Sequence, residues 1–121
     1  MEKQMMGWEE ILQNLNLVSR SFALCIPTLE GQLRDQIGLS YLLLRALDSI
    51  EDSTLPESKK DFLFKAFSDA LKFPDDLDLN IEKLTSLPME GIKDEEVAFF
   101  KSPSFGRVFE SFWCFHSSVL F

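Results

Sequence analysis

The chain has 121 residues, a formal net charge of −8 and 45% hydrophobic residues. That length allows one domain with a core of its own, but it is short for an enzyme handling several substrates. A balance this acidic argues against nucleic acid or an anionic membrane held by simple electrostatics, and it suits the collection of divalent cations. The composition is that of a globular chain, which argues against disorder.

The opening, MEKQMMGWEE, has no charged segment leading into a long apolar run, so no secretory signal is expected. No apolar run reaches about 18 residues, the length needed to cross a bilayer. A cytoplasmic location is expected, with peripheral contact at a membrane surface where apolar substrates would partition. Cys25 and Cys114, far apart in sequence, suit thiols in a reducing compartment. Twelve phenylalanines suit a dense helical core better than a wall facing a hydrocarbon chain.

From Trp8, apolar residues at Ile11, Leu12, Leu15, Val18, Phe22, Cys25 and Ile26 keep helical spacing until Pro27 closes the pattern. Ser19, Arg20 and Ser21 interrupt it, as a kink or a solvated turn would. Thr28 is expected to cap the next helix, with Glu30 in its first turn. That second helix runs to about Asp52 and organises the chain. At about 100° per residue, Arg34, Tyr41, Arg45, Asp48 and Asp52 share a sector roughly 60° wide. Ile37, Leu39, Leu42, Leu43, Leu44, Ala46, Leu47 and Ile50 surround it, so burial on most sides is expected.

A narrow polar stripe on a helix so apolar must have partners, because an unpaired buried charge costs several kcal/mol. One reading is an internal line of ion pairs, Arg45 with Asp48 or with another carboxylate. The other is a metal–diphosphate site, with Asp48, Glu51 and Asp52 offering oxygen to a cation such as magnesium and with Tyr41 and Arg45 placed for phosphate. Spacing alone leaves both open.

Further along, Thr54-x-x-Glu57 with Pro56 reads as a capping box opening a third helix, whose apolar face is Leu63, Ala66, Phe67, Ala70 and Leu71. Lys59, Lys60, Asp61, Lys65 and Asp69 form its solvated side. Phe73 to Asp94 reads as a connection with one short helix near Ile81 to Leu87. Asp76-x-Asp78-x-Asn80 imitates a calcium loop, but Ile81 and Leu87 stand where that loop needs Gly and Glu, so these acids belong to solvent. After Ser102-Pro103, an expected cap and first-turn proline, Phe105, Val108, Phe109, Phe112, Trp113, Val119 and Leu120 hold helical spacing to the end. His116 on that face reads as a core histidine. With no helix-stopping residue at Phe121, the last helix is expected to leave its apolar face unpartnered. No Gly-rich phosphate loop, zinc spacing or Gly-x-Ser-x-Gly elbow occurs.

The segment Val18 to Asp52 resembles the opening of the squalene/phytoene synthase family, the head-to-head prenyltransferases. The residues that carry the likeness are Ser19-Arg20-Ser21-Phe22, Leu33-Arg34, Tyr41-x-x-x-Arg45 and Asp48-x-x-Glu51-Asp52, in order and at the family's spacing. The wording around Asp48 is closer to squalene than to phytoene synthases. The resemblance implies an all-α fold, the N-terminal portion of an isoprenoid-synthase-type helical bundle, with residues 1–121 a single incomplete domain. It also implies condensation of two farnesyl diphosphates, with magnesium on Asp48, Glu51 and Asp52. Ser19, Arg20, Ser21, Phe22, Tyr41 and Arg45 would contact the diphosphate, Tyr41 and Arg45 as catalytic groups. In squalene synthases NADPH reduces the intermediate, and the site for it would lie outside this sequence.

One departure matters. The family's second aspartate-rich motif has no counterpart before Phe121, so no turnover is expected from these residues alone, and a helical partner would complete the bundle. The expected ligand is a small-molecule prenyl diphosphate, with no nucleic acid. Three alternatives stand beside this: a phytoene or dehydrosqualene synthase-like enzyme, a noncatalytic helical interaction protein binding through a Phe-rich last helix, and an inactive gene fragment.

Overall fold

The structure, a computed structural model, describes residues 6–86 and 90–119, the last five of these by backbone alone. Among the described residues every regular element is a helix, and none is long and apolar enough to cross a membrane. The order is α1 (Trp8–Val18), α2 (Arg20–Cys25), a 3-10 turn (Ile26–Thr28), α3 (Gly31–Asp52), α4 (Glu57–Lys72), a second 3-10 turn (Pro74–Asp76), α5 (Leu77–Thr85), α6 (Asp94–Lys101) and α7 (Ser104–Val119).

Helix α3 is the centre of the bundle, touching α1, α4, α6 and α7. Its inner face is Leu39, Leu42, Leu43, Ala46 and Ile50, all buried. Burial on most sides does not follow. Leu33, Ile37 and Leu44 are 54%, 42% and 60% exposed, and at 100° per residue they form one apolar strip beside the Asp48 position. Gly38 explains how α1 approaches so closely: a Cβ there would lie 2.7 Å from Ile11 Cγ2. Ile11 is fully buried and stiff at its branched carbon, so it has little room to yield. Gly38→Ala is therefore expected to cost about 1–3 kcal/mol by overpacking. A urea midpoint matching the parent protein would show that Ile11 gives way freely.

The phenylalanines bear out the core reading. Phe67, Phe99, Phe100, Phe105 and Phe109 are buried. Phe105 meets Phe99 and Phe109 edge to face at 5.4 and 5.5 Å, and Phe109 meets Phe67 at 5.1 Å, the arrangement ring quadrupoles favour. Over its described side chains the face of α7 expected to be unpartnered packs against α3, α4, α5 and α6, with Phe105, Val108 and Phe109 buried. Phe105, Phe109 and Phe112, the described phenylalanines of the face invoked for an interaction module, belong to the core or pack against it. Trp113 Nε1 also donates to the Ala70 carbonyl at 3.2 Å. The side chains of His116 and Val119, together with Leu120, Leu87 and Phe121, lie outside the described residues.

Helix ends differ from the sequence expectations in instructive ways. Ser19, extended at φ −160° and ψ 104°, splits the first apolar run into α1 and α2, and its Oγ accepts from Phe22 N. Thr28 does not cap α3. Its hydroxyl donates to the Cys25 carbonyl at 2.6 Å, and the chain enters α3 through Gly31 at φ +57°, a left-handed conformation that suits glycine. The capping box at Thr54 does not form either, because Pro56 takes the cap position and Thr54 N donates to the Glu90 carbonyl. Ser102 ends α6, donating to the Phe99 carbonyl, instead of capping α7. The short helix expected near Ile81 starts earlier, at Leu77, and α6 is an element the sequence reading did not assign. Asp75, Asp76 and Asp78 are exposed as expected, while Asn80 is buried. Cys25 is an exposed thiol.

Candidate diphosphate and metal site

The break at Ser19 starts α2 and places the Ser-Arg-Ser-Phe run beside the polar stripe of α3, at Tyr41. Phe22 and Tyr41 touch, with ring centroids 4.4 Å apart at 31°, so two motif elements that are 19 residues apart in sequence meet in space. Tyr41 is half-buried and also packs against the core, whereas Arg20, Ser21 and Phe22 are exposed. Ser19 and Arg20 line an open cavity of about 410 Å³ with Asn16, Leu17, Val18, Lys93, Glu95 and Glu96.

The stripe does not act as one unit. Arg34 is spent locally: its guanidinium lies 4.3 Å from the centre of a Trp8 ring and pairs with Asp35 at 3.1 Å, a cation–π contact that helps seat α1 on α3. Arg45 pairs with Glu96 of α6, which realises the ion-pair reading through another carboxylate and not through Asp48. Glu96 is the better buried partner, its side chain 7% exposed against 25% for Arg45. Ser49, fully buried, has its Oγ 3.0 Å from Glu96 Oε2 and 2.9 Å from the Arg45 carbonyl. A hydroxyl has one proton, and the charged carboxylate is the stronger acceptor for it. Arg45 Nε is buried without a partner.

Asp48, Glu51 and Asp52 are exposed. No side-chain bond or ion pair engages the three carboxylates among the described residues, although the Glu51 carbonyl accepts from Lys60 Nζ at 2.7 Å. Among the described residues no set of three His, Cys, Asp or Glu side chains converges to enclose a metal ion. Magnesium does not require such a cage, because it commonly takes one or two carboxylates and completes its shell with phosphate and water. Asp48 and Asp52, one turn apart and unspent, fit that role as a two-carboxylate donor set. Glu51, about 100° from Asp52 around α3, fits less directly.

The sequence reading missed Glu96, Ser49 and Lys93. The acidic start of α6, Asp94-Glu95-Glu96, was visible as a first-turn cluster suited to a helix dipole. Nothing in the spacing indicated that its third member faces Arg45.

An all-helical bundle that joins a Ser-Arg-Ser-Phe turn to a Tyr-x-x-x-Arg stripe and exposes an Asp-x-x-x-Asp pair at its end defines a class of fold and site. The Squalene/phytoene synthase family profile matches residues 15–98, and the chain belongs to that family. It is 63% identical over 38 residues to squalene synthase BSS of Botryococcus braunii, covering 31% of this chain and 8% of that protein. It is 46% identical over 61 residues to squalene synthase 1 of Panax ginseng and 45% identical over 62 residues to human squalene synthase, each covering 50% of this chain and 15% of the relative. The matched stretches therefore span only a small part of these relatives. No solved structure gives a significant match.

Proposed function

We propose that these residues form the diphosphate-binding part of a squalene synthase-like transferase, which condenses two farnesyl diphosphates head to head. The observation that carries this reading is the Phe22–Tyr41 contact, which brings the two expected phosphate-binding motifs together beside a cavity lined by Ser19 and Arg20. Arg20 and Arg45 would hold phosphate oxygens through charge-assisted hydrogen bonds, with Ser19 and Ser21 adding neutral donors. Tyr41, held by the Phe22 ring, would sit beside the carbon that loses its leaving group. The exposed strip of Leu33, Ile37 and Leu44 would give the prenyl chain an apolar surface that keeps water from the reacting carbons.

Bound by Asp48 and Asp52, with Glu51 assisting, magnesium would supply charge neutralisation on the departing diphosphate. The need for it follows from the charge of this chain. At net −8 the protein repels a diphosphate, and two arginines, one of them already paired, offset that repulsion only partly.

The test is titration calorimetry with inorganic pyrophosphate, with and without magnesium. Binding is expected to depend on the metal, and the double variant Asp48→Asn, Asp52→Asn is expected to lose at least about tenfold in affinity, since it removes both carboxylate donors. With the metal chelated, parent and variant should bind alike and weakly. Undiminished magnesium-dependent binding by the double variant would remove these two residues from the site.

A further inference from the structure

We propose that Glu96 is a positioning residue: its buried carboxylate holds the Arg45 guanidinium at the border of the cavity that Ser19 and Arg20 line. This rests on the reading of Arg45 as a phosphate ligand. Glu96 is the residue common to both environments, since it pairs with Arg45 Nη2 and also lines that cavity. It is itself held twice, by the Ser49 hydroxyl on Oε2 and by its place in the first turn of α6, where the helix dipole favours a negative charge.

An arginine on an open helix face is a long, freely rotating cation, and an anion that recruits it must first immobilise it. Pairing with a carboxylate that cannot itself move does this before the anion arrives. The pair leaves donors to spare. Arg45 has five N–H groups and Glu96 engages it at Nη2, so N–H groups remain on the two Nη atoms, while the buried Nε has no acceptor. Glu96 therefore orders the side chain without exhausting it.

The experiment uses the 15N-labelled chain, its fold checked by circular dichroism, with two readouts: pyrophosphate affinity in the presence of magnesium, and the Arg45 Nε–Hε resonance, assigned by its disappearance in Arg45→Lys. Glu96→Gln keeps the shape and the Ser49 contact but removes the charge. It is expected to weaken pyrophosphate binding about fivefold to tenfold, the effect of one charge-assisted contact, and to speed solvent exchange at Arg45 Nε. Glu96→Asp, which keeps the charge with a shorter reach, is expected to fall between, and it carries the test if the glutamine variant does not fold. Rescue by the charge, together with a change confined to the Arg45 resonance, is what a merely structural role would not produce. If the parent binds pyrophosphate and the Glu96 variants bind as well or better, the positioning role is overturned while the site stands. If the parent binds none, the functional reading fails and this inference with it.

Discussion

Arg45→Met is expected to cost the fold about 3 kcal/mol, near the low end for breaking a buried ion pair because Arg45 itself still reaches solvent. The penalty comes mainly from the partner left behind. Glu96, with a side chain only 7% exposed, would keep a negative charge with the Ser49 hydroxyl as its remaining side-chain donor, too little to replace the lost cation. Adding Glu96→Gln should return most of the loss, because a neutral amide accepts the Ser49 proton without needing a cation. Glu96→Gln alone should cost little, since Arg45 can turn toward water. Urea denaturation of the three variants decides it: equal midpoints for Arg45→Met and the double variant would show that the charge is not what matters.

The second large effect lies in the core. Phe109→Ala is expected to cost about 3–5 kcal/mol, combining the lost transfer of a large ring with the cavity it leaves. Phe109 is fully buried, and rings on both sides, Phe67 and Phe105, use its edge or face. Collapse into the space is hindered because those rings come from α4 and from α7 itself. Phe73→Ala, at a residue 53% exposed, is the control, with an expected change within about 0.5 kcal/mol. Similar melting temperatures for the two variants would contradict the aromatic cluster as the centre of stability.

Helical periodicity carried much of the fold because it reports a local, repeated fact. The extent of α3 to Asp52 and the inner face of α4 follow from apolar spacing alone. What spacing could not report was which apolar positions meet a neighbour. Leu33, Ile37 and Leu44 look like Leu39, Leu42 and Leu43 in sequence, and only the placement of α1, α4 and α7 separates them. Helix ends were misread for a related reason: Thr28, Thr54 and Ser102 each have a cap-forming side chain, but Gly31 and Pro56 set the backbone geometry, and Ser102 closes the helix before it. At the candidate site, the family resemblance, not spacing, was what grouped Tyr41 with the Ser-Arg-Ser-Phe run, and Phe22 and Tyr41 are in contact. The pairing of Arg45 with Glu96, 51 residues away, depends on a connection whose path no local rule specifies.

Helix α1 and Met6 just ahead of it are fastened to α7 by polar contacts across nearly the whole sequence. Met6 N donates to Ser111 Oγ at 2.8 Å, and Glu10 accepts from Ser104 at 2.8 Å and Arg107 at 3.0 Å. On the ribosome, Glu10 emerges about a hundred residues before these partners exist, and such distant closures are slow to form. In a nascent chain α1 can lean on α3 early, yet its final latch waits for α7, so a chaperone would meet α1 before it is fully fastened.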